Sequence, residues 1–168
     1  MQDSAQLEVL KERYRFDEWK GDSAAAAIER TQALSLSGNE FPGWQLARQA
    51  RQPADVSGVR SVIRSTWQRV GANQEELLGV DVAECDSPAA ARETLLRMLG
   101  EFQGPQLTPV NGIGDVAFGT PGETAIVFAR GNVMATIRNA GRRVVPLGDV
   151  ARTLDALLSP RGGRKRRE

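Results

Sequence analysis

Histidine does not occur in this chain of 168 residues. That absence removes imidazole acid–base chemistry, Ser–His and Cys–His nucleophile pairs, and most zinc, copper and non-haem iron sites. One cysteine, Cys85, excludes an internal disulfide and any multi-cysteine metal or cluster site. No run approaches the roughly 18 apolar residues that a membrane-spanning helix needs. Neither a cofactor nor a metal is therefore expected.

What remains is ordinary soluble-domain composition, 40% hydrophobic and 26% charged, and the length is enough for one proper core. The formal charge of +1 hides an asymmetry. Residues 161–168 hold five cations and one anion, so the tail is +4 and the remainder −3. Arg161, Arg164, Lys165, Arg166 and Arg167 are the candidates for weak, salt-sensitive attachment to a polyanion. With no aromatic interleaving and an acidic body behind it, such a tail does not make nucleic acid the expected partner. A solvated end, or an anchor to anionic surfaces, fits the same residues. Residues 160–168 are expected to be disordered.

At the other end, Gln2-Asp3-Ser4-Ala5 follows Met1 with neither a basic nor an apolar leader segment. Small polar residues of this kind follow export cleavage sites. The expectation is a periplasmic or secreted protein lacking its leader, with an ordinary cytoplasmic start as the alternative.

Periodicity organises the rest. Leu7, Leu10 and Tyr14 mark a helix over residues 3–15, and Ser23 followed by four alanines, Ile28 and Leu34 marks a second. Together they make an N-terminal helical segment and linker, residues 1–43. Period-two alternation predicts strands at Trp44–Arg51, Val59–Val70 and Leu77–Cys85. In the second strand Ile63, Ser65 and Trp67 share one face, while Val62, Arg64, Thr66 and Val70 share the other. Ser87 as N-cap with Pro88 behind it opens a helix whose stripe is Ala91, Leu95, Met98, Leu99 and Phe102. A hairpin follows, Thr124–Arg130 and Val133–Arg138 about Gly131-Asn132, then a short strand at Val144–Pro146 and a helix at Leu147–Leu158. The order is βββα-βββα. It predicts an α+β domain over residues 44–159, a curled antiparallel sheet of about six strands with helices packed on one side.

Few motifs carry chemistry. Gly112-x-Gly114-x-x-Ala117 matches a loose dinucleotide fingerprint, but prolines flank it where a strand and a helix are required, so it reads as a turn. Asp115 after that turn is placed to accept backbone N–H groups and organise the loop. Carboxylates Asp81, Glu84 and Asp86 cluster at a strand end, where solvated acids are common. Cys85 precedes a helix cap, which lowers a thiol pKa, yet without a histidine partner it reads as a core thiol. Arginines outnumber lysines nineteen to three. Arg48, Arg60, Arg64, Arg69, Arg130 and Arg138 fall in predicted strands near Trp44 and Trp67. Guanidinium forks beside aromatic planes suit an anionic ligand or a carboxylate-bearing partner. Exposed strands also use such side chains against edge pairing.

The run from Gly112-Ile-Gly-Asp115 through Ile126–Ile137 to Leu147–Leu158 resembles the C-terminal half of small exported bacterial lipoprotein-like and sensor-type domains. The resemblance covers under a third of the chain. It implies an α+β fold and an extracytoplasmic setting, and it carries over no catalytic residue. The chain departs from those domains in lacking a lipidation cysteine near its start and a disulfide pair.

The function expected is that of a non-enzymatic, exported or periplasmic domain. It binds a protein partner or a small anionic or amphipathic ligand on its sheet through Trp44, Arg64, Trp67 and Arg130, with Asp115 organising the rim. The alternatives are a hydrolase or transferase using Asp115 with Glu123 or Asp81 with Glu84, assisted by a divalent ion, and polyanion binding through the tail.

Overall fold

The computed structural model describes residues 4–19, 38–53, 57–71, 75–102 and 107–158. The helix expected from Ser23 to Leu34 and the basic tail lie outside them. Seven strands form one antiparallel sheet: β1 (Trp44–Pro53), β2 (Val59–Arg69), β3 (Leu77–Cys85), β4 (Thr108–Pro109), β5 (Val116–Gly119), β6 (Ala125–Arg130) and β7 (Val133–Asn139). Among the described residues three α-helices accompany them: α1 (Ser4–Arg13), α2 (Pro88–Glu101) and α3 (Gly148–Leu158). The class is α+β with a curled open sheet.

The spatial order is β1-β2-β3-β7-β6-β5-β4. Two antiparallel meanders therefore meet at the β3–β7 pair, where Val80 lies opposite Ile137 and Val82 opposite Ala135. The link from β3 to the far edge runs through α2. Ser87, in an extended conformation, accepts the Ala90 N–H at 3.0 Å, and Pro88 occupies the first turn, where no N–H is needed.

Helices cover both faces of the sheet, not one. In the strands at its centre both side-chain parities are apolar. Leu78, Val80, Val82, Ile126, Phe128, Val133, Ala135 and Ile137 pack under Val150, Ala151, Leu154 and Leu158 of α3. Ala83, Cys85, Val127, Ala129 and Met134 point the other way, against Leu95, Leu96 and Leu99 of α2 and Leu10 of α1. Each fully buried aliphatic side chain contributes roughly 1.5–3 kcal/mol, and a sheet apolar on both faces needs a cover on both. Aromatic contacts fasten the N-terminal segment to this body. Tyr14 and Trp19 each sit 5.4 Å from the Phe118 ring of β5, and the Trp19 indole N–H donates to the Tyr14 carbonyl at 2.8 Å.

Two further expectations are corrected. Residues Val144–Pro146 form no strand. Asn139 takes the polar groups a ladder would use: its Oδ1 accepts the Val145 N–H at 3.0 Å and its Nδ2 donates to the Val145 carbonyl at 2.8 Å. Pro146, next in line, has no N–H to offer. Two strands not expected bring the number to seven instead: β4, before the Gly112–Asp115 turn, and β5, directly after it. Gly114 is required there by space as well as by its φ of +59°, since an added Cβ would lie 2.6 Å from the Ala129 carbonyl oxygen.

Candidate functional site

The four side chains expected to form one binding surface are distributed over three places. Trp67 is 0% exposed and belongs to the core under α3. Its indole N–H donates to Ser65 Oγ at 2.9 Å, and that hydroxyl donates to the Val80 carbonyl at 3.2 Å. Trp44 lies on the same face, 5% exposed, with the Arg69 guanidinium 5.1 Å from its ring centroid. Arg130 is fixed at the β6–β7 hairpin. Arg64 points to the opposite face, as its parity relative to Trp67 requires.

Asp115 and Arg130 do come together. One Asp115 carboxylate oxygen accepts the Gly131 N–H at 2.8 Å, and the other lies 3.4 Å from Arg130 Nη1. Asp155 of α3 takes the rest of the guanidinium. Asp115 thus ties the Gly-x-Gly turn to the hairpin tip, and Arg130 ties both to α3. The two carboxylate pairs considered for catalysis are held differently. Glu123 lies 3.7 Å from Arg152 of α3, whereas Asp115 is engaged by Arg130 and the Gly131 N–H. Asp81 and Glu84 are three apart on β3 and so face opposite sides of the sheet. Glu84 is buried with Arg60 at 3.8 Å. Among the described residues, no group of three or more metal-ligating side chains converges.

Among the described residues a concavity opens on each face of the sheet. On the α3 face a cleft of about 570 Å³ runs between Phe41, Trp44 and Arg69 on one side and Pro146, Asp149 and Thr153 on the other. Its aromatic floor is almost wholly buried, and the accessible wall mixes polar and apolar side chains. Glu76 sits there between Arg69 at 3.8 Å and Arg143 at 3.6 Å.

On the α2 face a smaller cavity of about 180 Å³ opens beside α2, which packs mainly on β6, β7 and β3 and more lightly on β2. Val59, Val62, Met98 and Met134 supply apolar walls, and Arg64 and Asp81 stand in the lining. The strand register explains this neighbourhood. Arg64, Asp81 and Thr136 are directly opposite one another on β2, β3 and β7, and the next row is Arg48, Thr66, Gly79 and Arg138. Gly79 leaves the room that Arg138 uses. A Cβ there would stand 3.0 Å from Arg138 Nε and 3.3 Å from its Cγ, so the arginine lies across β3 beside Asp81. Arg48, Arg64 and Arg138 thus share a face with a single acid.

Asp81 is 26% exposed and 3.9 Å from Arg64, which is itself 59% exposed. Burial raises the Asp81 pKa above the ordinary carboxylate value, against the opposing pull of Arg138 and Arg64. Cys85 is fully buried beneath α2, and burial pushes its thiol up to about 11. Lying ahead of a helix cap has not activated it. Sequence reasoning missed Met98 and Met134 as cavity walls, although the parity that puts Met134 opposite Val133 and Ala135 was legible. No family model matches this chain, and no curated protein or solved structure is significantly similar to it. Among the described residues, no helix is long and apolar enough to cross a membrane.

Proposed function

We propose that this protein is a non-enzymatic binding domain that takes a small amphipathic anion on the α2 face of its sheet. The observation that carries the reading is the 180 Å³ apolar cavity opening beside Arg64 and Asp81. An apolar cavity of about 150 Å³ accommodates a benzene ring, so an aromatic ring or short alkyl chain matches the volume. The head group would meet Arg64 and Arg138, whose forks suit carboxylate, sulfonate or phosphate oxygens. Of the residues named from the sequence, Arg64 takes part directly. Trp67 and Arg130 serve the core and the hairpin, and Trp44 borders the other cleft.

Methionine methyl groups provide the test. With [¹³Cε]-methionine labelling, hexanesulfonate should shift the Met98 and Met134 signals together, with Met1 as reference. Ala83→Leu, which fills the cavity from β3, should abolish both shifts while the protein stays folded. Unmoved Met98 and Met134 signals up to millimolar hexanesulfonate would reject the reading.

A further inference from the structure

Asp81 occupies the place where the ligand's head group would go. It lines the cavity, stands directly opposite Arg64 in the β2–β3 register, and lies beside the Arg138 side chain that Gly79 admits. These two guanidiniums are the charged groups that act on it. Arg48 of β1 lies one row further along the same face, and the rest of the lining does not titrate: α2 presents Thr94 and Met98, β1 presents Gln52 and Pro53, and β7 adds Thr136. The Arg64–Asp81 contact is a loose one at 3.9 Å, too long for a good hydrogen bond, and Arg64 is mostly solvated. A loose pair with one partner well solvated contributes little, on the order of 0–1 kcal/mol, and is readily exchanged.

We infer that Asp81 is a resident counter-anion that an incoming anionic head group displaces from Arg64 and Arg138, and that ligand uptake is coupled to protonation of Asp81. This deepens the reading given under Proposed function and rests on it. The balance is simple. The ligand arrives as an anion, one proton comes from solvent to the Asp81 carboxylate, and no covalent bond is made or broken in the ligand. Two effects drive the proton on. A second anion within a few ångströms disfavours ionised Asp81, and the alkyl portion lying in the cavity removes water that had solvated it. Burial already biases Asp81 toward its protonated form in the unliganded protein. The neutral carboxylic acid then becomes a donor, able to offer its O–H to a head-group oxygen. The device makes the protein a tighter binder as pH falls.

Hexanesulfonate is the suitable probe because it stays ionised throughout the range, so every proton taken up belongs to the protein. Calorimetric titrations in buffers of different ionisation enthalpy should show net proton uptake on binding. Affinity should rise about three- to tenfold from about pH 7.5 to about pH 5, as expected for one carboxylate shifted by up to a unit. Asp81→Asn should bind more tightly at neutral pH, with the pH dependence and the proton uptake both lost. Arg64→Gln combined with Arg138→Gln should weaken binding about tenfold or more, and both variants should keep the wild-type circular dichroism. Binding of hexanesulfonate with no proton uptake, or an Asp81→Asn variant that keeps the pH dependence, would overturn the coupling while leaving the cavity reading intact. Preference for hexylamine over hexanesulfonate would overturn both, and absence of any binding would sink the cavity reading first.

Discussion

Arg130 on β6 and Asp155 on α3 meet in a parallel two-point hydrogen bond, Nε to Oδ1 at 2.7 Å and Nη2 to Oδ2 at 2.9 Å. Asp155 is buried and Arg130 half-buried, so the pair is shielded from the screening that weakens surface ion pairs. Asp115 approaches the same guanidinium from the Gly-x-Gly turn at 3.4 Å. One arginine therefore joins the sheet, its α3 cover and the loop that precedes β5.

Removing one partner should be costly because the other is left partly desolvated. Asp155→Ala is expected to destabilise by about 2–4 kcal/mol, whereas Asp115→Ala should cost about 1–2 kcal/mol. The two losses should not add, since both acids share one guanidinium. Urea unfolding of the single and double variants measures this. Strict additivity would show that Arg130 does not link them.

A second polar relay stabilises the core beneath α3. Trp67 donates to Ser65, and Ser65 donates to the Val80 carbonyl, all within the buried layer. Ser65→Ala leaves the indole N–H without its acceptor, at an expected cost of about 1–3 kcal/mol. Trp67→Phe should then cost less in the Ser65→Ala background than it does in the wild type. The urea midpoint should fall with an unchanged slope, because the surface exposed on unfolding is the same.

Cys85 should be inert in the folded protein. It is 0% exposed, and its thiol is pushed up from 9.0 to about 11, chiefly by burial and further by the charges of Asp86 and Glu84, against the hydrogen bond with Thr94. The shift alone lowers the thiolate fraction near neutral pH by about a hundredfold. Iodoacetamide labelling should therefore follow unfolding, and its rate should rise with urea in parallel with loss of circular dichroism. Rapid labelling of the native protein would place the thiol at the surface.

The residues that told their story in sequence are those whose local pattern and tertiary role agree. The limits of β3 fall where alternation put them, because turn-forming residues and the Ser87-Pro88 cap bound an uninterrupted run. Parity separated Arg64 from Trp67 correctly, yet grouping them into one surface ignored that separation. The strand β5 was hidden because four residues after two glycines carry too little periodicity, and its partner β4 is two residues containing a proline. Val144 and Val145 have strand-forming side chains, but the Asn139 amide holds the backbone that a strand would need. The two-sided cover was foreshadowed by the unbroken apolar run of residues 125–129, buried on both parities. The cavity itself depends on where α2 stops covering the sheet, and no local pattern specifies that.

Asp81 offers a last test in which stability, rather than binding, reports the local field. Burial lifts its folded pKa above the 3.8 of a solvated aspartate, even with Arg138 and Arg64 beside it. The folded protein therefore holds this proton to higher pH than the unfolded chain does. Between the two pKa values the native state binds more protons, so stability falls as pH rises, and the contribution is fully lost once pH exceeds the folded value. Asn cannot ionise and keeps the shape, so Asp81→Asn removes that loss. The variant should melt higher than the wild type near neutral pH, and the gap should shrink to nothing as pH is lowered through the usual carboxylate range, to about pH 3. If the variant melts lower at neutral pH, attraction to the two arginines outweighs desolvation. Asp81 would then be a fixed ion-pair partner rather than an exchangeable one.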